Sequence, residues 1–173
     1  MVSNTNIKTL ILEDNRQMRT LLSAILAAFG FRRIWGANTN DEAFEQCREI
    51  DFDLIIVDQK VGSTSGLDFV RKIRDQELSP YPYVPIIMIS SYSERVRIMD
   101  AINAGVDEFL VKPVKPLDIA RRIDAVTFKR RDFVRAPNYF GPDRRRRQDP
   151  HFRGPFKRID DRLHADADVF EFD

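Results

Sequence analysis

Five short apolar runs, at residues 7–12, 31–35, 54–57, 84–89 and 109–111, are separated by stretches whose apolar residues recur with the period of a helix. That alternation restricts the fold more than any other property of the chain. Runs that are apolar at consecutive positions need cover on both faces, which a parallel sheet between two helix layers provides. The first 128 residues are therefore expected to form an α/β domain, a doubly wound five-stranded parallel sheet. A first helix is expected at 16–29, with Met18, Leu21, Leu22, Ile25 and Leu26 along one stripe and Gly30 as its stop. A second is expected at 41–50, a third after Gly66 with Leu67, Phe69, Val70 and Ile73 turned inward, a fourth between Ser93 and Gly105, and a fifth from near Pro116.

Composition agrees with one folded domain and an appendage. The chain has 173 residues, 43% hydrophobic and 32% charged, which excludes collagen-like, disulfide-stapled and wholly disordered classes. No apolar run approaches the ~20 residues needed to cross a bilayer, and the N-terminus meets acidic residues too early for a signal peptide. A cytoplasmic protein without a membrane span is expected. The lone cysteine, Cys47, has neither a disulfide partner nor a companion for a metal site and is read as a core residue. The formal net charge of +1 conceals a segregation: residues 1–128 carry a net −2, residues 129–162 a net +7 and residues 163–173 a net −4. A mildly acidic domain, residues 1–130, is thus followed by an arginine-rich tail with an acidic tip, residues 131–173, whose basic part calls for an anionic partner.

In a doubly wound sheet, chemistry gathers in the crevice at the carboxyl ends of the strands. Those ends carry Glu13 and Asp14, then Asp58, then Ser90 and Ser91, then Lys112 and Pro113. Any one polar residue can simply terminate a strand, but all of them at strand ends point to a site. Clustered carboxylates repel one another unless a cation sits among them, and an all-oxygen set suits a hard divalent ion, Mg2+ above all. A lysine and a hydroxyl opposite would complement a small anion, such as a phosphoryl group carried on one carboxylate.

Glu13 and Asp14, Asp58, Gly66, Ser90, the Ala104-Gly105 pair, Phe109 and Lys112-Pro113 together resemble the receiver domain of two-component response regulators, a flavodoxin/CheY-like fold, over residues 7–126. The resemblance implies that Asp58 is the phosphoacceptor. Asp14, Asp58 and the backbone carbonyl of Lys60 would bind Mg2+, with Glu13 acting through water. Lys112 would pair with the phosphoryl oxygens, Ser90 would donate a hydrogen bond to them, Phe109 would change rotamer with the serine, and the Lys112-Pro113 bond would be cis. It implies a signalling protein rather than an enzyme, catalysing only its own phosphorylation by a sensor histidine kinase or phosphotransfer protein and answering through its fourth helix and fifth strand. That surface also offers a homodimer face, although Arg95, Arg97, Arg121 and Arg122 on or near it read equally well as solvated charges. Two positions depart from the family pattern. Gly62 stands where proline is common, which predicts a more flexible loop. Ser91 stands where alanine or glycine is common, and its larger side chain would slow phosphoryl traffic.

Beyond Arg131 the prolines and glycines forbid a long helix. Gly141-Pro142-Asp143-Arg144-Arg145 and Gly154-Pro155-Phe156-Lys157-Arg158 repeat a Gly-Pro turn followed by a basic pair. Arginines interleaved with aromatic residues supply planes that stack on bases and forks that fit phosphate or guanine, and Asp143 could accept from a guanine edge. A solvated polyanion-binding tail, a nucleic-acid-binding arm and a protein-docking arm on a plain phosphorelay receiver account for the same charge. A receiver with such a tail resembles the Cle family, CheY-like effectors of cyclic di-GMP (c-di-GMP). That resemblance implies c-di-GMP held by Arg144, Arg145, Arg146, Arg147, Arg153 and Arg158 with Tyr139 and Asp143 in support. It also implies a downstream protein target in the flagellar motor or the surface-attachment machinery.

Overall fold

The structure, a computed structural model of the chain, describes residues 4–144. In chain order the elements are β1 (Lys8–Leu12), α1 (Arg16–Ala28), β2 (Arg33–Ala37), α2 (Asn40–Glu49), β3 (Leu54–Asp58), β4 (Lys60–Val61), β5 (Thr64–Ser65), α3 (Gly66–Arg74), β6 (Ile86–Ser90), α4 (Arg95–Ala104), β7 (Glu108–Val111), α5 (Pro116–Phe128), β8 (Phe133–Ala136) and β9 (Tyr139–Pro142). The main sheet is parallel throughout, in the order β2-β1-β3-β6-β7, as the alternation of apolar runs requires. One layer, α2, α3 and α4, closes a core containing Leu10, Phe44, Phe69, Val70 and Met88. The other, α1 and α5, closes a second core containing Leu22, Leu26, Phe31, Ile87 and Ile119. Cys47 is buried in the first core, as expected, and burial pushes its thiol up to about 12. No helix among the described residues is long and apolar enough to cross a membrane.

Local chemistry sets the element ends. Asn15 caps α1 by accepting from the Met18 amide at 3.0 Å, Thr39 caps α2 from the Glu42 amide at 3.1 Å, and Ser65 caps α3. Helix α1 stops at Gly30, whose φ of +90° is the left-handed conformation glycine adopts without strain. There the Gly30 amide reaches the Ala27 carbonyl and the Phe31 amide the Leu26 carbonyl, the double bond of a Schellman motif. This corrects the strand expected at 31–35: Phe31 is the apolar contact of the helix stop, and β2 begins two residues later. Leu21 is also misassigned by the stripe reading, since it is 48% exposed while Leu22, Ile25 and Leu26 are buried.

The loop after Asp58 is a small hairpin. Lys60 pairs with Ser65 and Val61 with Thr64, Thr64 Oγ1 donates to the Val61 carbonyl at 2.8 Å, and Gly62 turns at φ +58°. The glycine is thus needed for the turn, where proline could not sit.

The largest correction lies past α5. The non-globular extension expected from residue 131 is, through Arg144, an ordered piece of the domain. Strands β8 and β9 pair antiparallel, from Phe133 with Pro142 to Ala136 with Tyr139. Phe133, Phe140 and Tyr83 form a three-ring cluster with centroids 5.0–5.4 Å apart. Arg74 and Arg130 lie over the Phe133 ring. Arg130 Nε donates to Asp107 Oδ1 at 2.8 Å, and Arg131 donates to the Asp143 and Asp107 carbonyls. The first basic residues of the extension are therefore spent on acceptors of the domain, a use that charge counting does not reveal.

Candidate functional site

The strand order reverses between β1 and β3, and Glu13, Asp14 and Asp58 stand at the carboxyl ends of those two strands, the usual binding position in such a sheet. One carboxylate oxygen from each lies within 4.8 Å of the others. Glu13 and Asp58 are buried, at 2% and 9% exposure, while Asp14 faces solvent. From the far edge of the sheet, Lys112 reaches across: its Nζ donates to Asp58 Oδ2 at 3.0 Å and to Glu13 Oε2 at 3.1 Å. The Lys112-Pro113 peptide is cis. The expected convergence of three acids and one lysine is thus realised.

Electrostatics describe a site short of positive charge. Burial, then the charge of Asp58, raise the Glu13 pKa above its ordinary value, and the Asn15 amide and Lys112 only partly oppose them. Burial works to lower the Lys112 pKa, but the hydrogen bond and charge of Asp58, followed by Glu13, outweigh it and the net movement is upward. One ammonium against three carboxylates leaves room for a divalent cation, and the anionic oxygen donors suit Mg2+. Positions of the acids are fixed from behind. The Glu13 amide bonds the Ala37 carbonyl at 3.1 Å, the Asn15 amide donates to Glu13 Oε1 at 3.1 Å, and Arg19 donates to the Glu13 carbonyl. Gly36 makes the space for Arg19, since a Cβ there would lie 2.8 Å from its Cδ. Gly66 is required because a Cβ would fall 2.0 Å from the Asp58 carbonyl oxygen.

Ser90 lies at the end of β6, fully buried, and Ser91 beside it is exposed. Ser90 Oγ donates to Gln59 Oε1 at 2.5 Å and accepts from the Tyr92 amide at 2.9 Å. Gln59 was not among the expected site residues. Its only signal in sequence is a polar side chain directly after the acidic residue that ends a buried strand. Phe109, in β7, is half-buried against the α2–α4 core. Lys60 is exposed in β4.

Of the residues expected to hold a dinucleotide, three fall among those described. Tyr139 is 9% exposed, donates its hydroxyl to the Pro142 carbonyl at 2.6 Å and is covered by the Arg144 guanidinium at 4.4 Å. Arg144 also donates to Asn103 Oδ1 of α4 at 3.0 Å. Asp143 is buried, and its amide bonds the Asp132 carbonyl at 2.7 Å. Arg145, Arg146, Arg147, Arg153 and Arg158 lie outside the described residues.

Residues 9–124 match the family model "Response regulator receiver domain". The chain is 29% identical over 126 residues to the chemotaxis protein CheY-3 of Vibrio cholerae, covering 72% of this chain and 95% of that one. It is 30% identical over 119 residues to the transcriptional regulatory protein ResD of Bacillus subtilis, covering 69% of this chain and 47% of ResD. Among solved structures it is similar to the chemotaxis response regulator CheY4 of Vibrio cholerae, at 26% identity and a TM-score of 0.64 over 70% of this chain and 99% of that one. It is likewise similar to the receiver domain of sensor histidine kinase PA1611 from Pseudomonas aeruginosa, solved with a magnesium ion in its active-site cleft, at 25% identity and a TM-score of 0.61 over 68% of this chain and 94% of that one. A sheet in this order, acids at its switch point and a lysine crossing to meet them are what the sequence match describes in other terms: the chain belongs to the response regulator receiver domain family.

Proposed function

We propose that the chain is phosphorylated on Asp58 and works as a signalling adaptor whose arginine-rich segment binds c-di-GMP. The observation that carries the first part is the two-pronged grip of Lys112 on Asp58 and Glu13 beside Asp14. In phosphoryl transfer an Asp58 oxygen attacks the phosphorus of a phosphohistidine on a sensor kinase or phosphotransfer protein. The P–N bond breaks with its electron pair going to the imidazole, so no general base is needed. Lys112 is placed to neutralise the oxygens of the transferred group. Glu13, Asp14, Asp58 and the Lys60 carbonyl would hold Mg2+, which supplies charge neutralisation when bound. Ser90 and Phe109 would register the added charge. Exposure of the full chain to a small phosphodonor with Mg2+ should raise its intact mass by one phosphoryl group, and Asp58→Asn should abolish the gain. An unaltered mass in the native chain overturns this part.

The second part is supported by the net +7 of residues 129–162 and by the repeated Gly-Pro turn with its basic pair. The likeness to Cle effectors adds the ligand, and a downstream protein in motility or surface attachment as the target. Arg144 to Arg147, Arg153 and Arg158 supply the charge, and Tyr139 and Asp143 shape the turn from which they start. Calorimetry of the full chain with c-di-GMP is expected to give saturable binding that Arg145→Ala with Arg146→Ala removes. Equal competition by guanine mononucleotides, or length-dependent nucleic-acid binding with a steep salt slope, would sink it.

A further inference from the structure

Ser90 has one hydroxyl proton to give, and in this structure it is given to Gln59. The pairing is built, not incidental. Asp58 pairs with Ile89 in the sheet, and one residue further on Gln59 is held by both of its backbone groups. Its amide donates to the Ile89 carbonyl at 2.8 Å and its carbonyl accepts from the Gly66 amide at 2.8 Å. Its side chain is enclosed, the residue being 5% exposed, and Oε1 stands 2.5 Å from Ser90 Oγ. The other side of the hydroxyl is occupied by the Tyr92 amide, 2.9 Å away. Ser90 is thus fixed from two directions, as donor toward β3 and as acceptor toward the segment leading into α4.

A hydroxyl in this arrangement cannot also donate to an anion on Asp58. We infer that Gln59 is a positioning residue that latches Ser90 in the unphosphorylated state, so that the response to a phosphoryl group must first break the Ser90–Gln59 hydrogen bond. The latch rests on Asp58 being the phosphoacceptor and adds to that reading a restraint built by the residue next to it. It acts through Ser90: the side-chain partners of Lys112 among the described residues are Asp58 and Glu13, so the charge-neutralising machinery is left in place when Gln59 changes. Because the Tyr92 amide also bonds Ser90 Oγ, release of the serine loosens the start of the segment before α4. That helix begins without a side-chain cap, since Glu94 makes none.

The test uses the full chain with Gln59→Met, which keeps length and burial but removes the acceptor, and Gln59→Asn, which withdraws the amide by one methylene. Each is made with and without Ser90→Ala. Two quantities are read by NMR: hydrogen exchange of the Tyr92 amide without any phosphodonor, and the beryllofluoride concentration, at fixed Mg2+, that half-converts the Tyr92 resonance. Loss of one neutral hydrogen bond predicts about three- to tenfold faster Tyr92 exchange and about three- to tenfold lower half-conversion in Gln59→Met. Gln59→Asn should move in the same direction, and on the Ser90→Ala background the Gln59→Met substitution should make no further difference. Unchanged exchange, or a shift that persists in full on the Ser90→Ala background, overturns the latch. A native chain whose spectrum does not respond to beryllofluoride and whose intact mass is unaltered after a small phosphodonor with Mg2+ overturns the phosphoacceptor reading instead, an outcome distinct from failure of the latch.

Discussion

Gly66 shows how tightly single residues constrain the acidic site. A methyl group there would fall on the Asp58 carbonyl oxygen, so Gly66→Ala must displace the end of β3. A shift of about 1 Å in a positioned group can lower a rate by roughly 100-fold, and phosphorylation from a small donor is expected to fall by that order while the far-ultraviolet circular dichroism stays native. Cys47 makes a separate point about burial. Its thiol is raised from 9.0 to about 12, so between those values only the unfolded chain ionises there. A raised pKa stabilises the fold below the unfolded value and that contribution is lost as pH rises toward the folded one. The stability of the native chain should drop relative to Cys47→Ala by about 1.4 kcal/mol per pH unit above 9, measured by urea unfolding. At neutral pH the same burial should leave Cys47 unreactive to thiol reagents until the protein opens.

Among the elements, α3 and the turn leading into β7 are tied by a buried ion pair that apolar periodicity cannot announce. Arg74 is 4% exposed, and it donates to Asp107 Oδ2 at 2.8 Å, the Gly105 carbonyl at 2.9 Å and the Pro82 and Val84 carbonyls at 2.7 Å. Burial lowers its pKa to about 10 against the opposing charge of Asp107, so it stays charged at neutral pH. Asp107→Ala strands that charge and should destabilise the protein by about 3–5 kcal/mol, read as a lower denaturant midpoint. What sequence does announce is clear in the same region. Leu67, Phe69, Val70 and Ile73 of α3 are all buried, because a stripe at helical spacing has one face to hide. The order of acids, serine and lysine along the strands was also legible, since a doubly wound sheet brings its carboxyl ends to one edge. Phe31 was not, because an apolar residue looks the same entering a strand or closing a helix. Nor was Gln59, whose importance arises only from a neighbour 31 positions away.

For the whole molecule, the described structure continues past the family match, which ends at residue 124, through the β8–β9 hairpin. Phe133, Phe140 and Tyr139 in β8 and β9 pack on residues of α3, α4 and the loop before β6. A chain ending after residue 130 should therefore be less stable than one ending after residue 144 by up to about 3 kcal/mol: Tyr139 is buried and Phe133 and Phe140 are half-buried, full burial of such a side chain contributes about 1.5–3 kcal/mol, and ordering the hairpin offsets part of it. Matched thermal melts of the two would settle it, and equal midpoints would show the hairpin to be a passive attachment. The hairpin was not legible in the sequence because arginines were weighed as free charge. Arg130 and Arg131 instead serve Asp107 and backbone carbonyls, and only a fold can assign such partners.

The meeting of Gly105 with Gly141 has a mechanical side. A Cβ on Gly141 would lie 2.9 Å from the Gly105 Cα, so main chain touches main chain where α4 ends, and Arg144 is clipped to Asn103 just before that end. A tug on the polypeptide downstream of Arg144 is thus loaded first onto the foot of that helix, as a rope made fast to a post strains the post before it strains the deck.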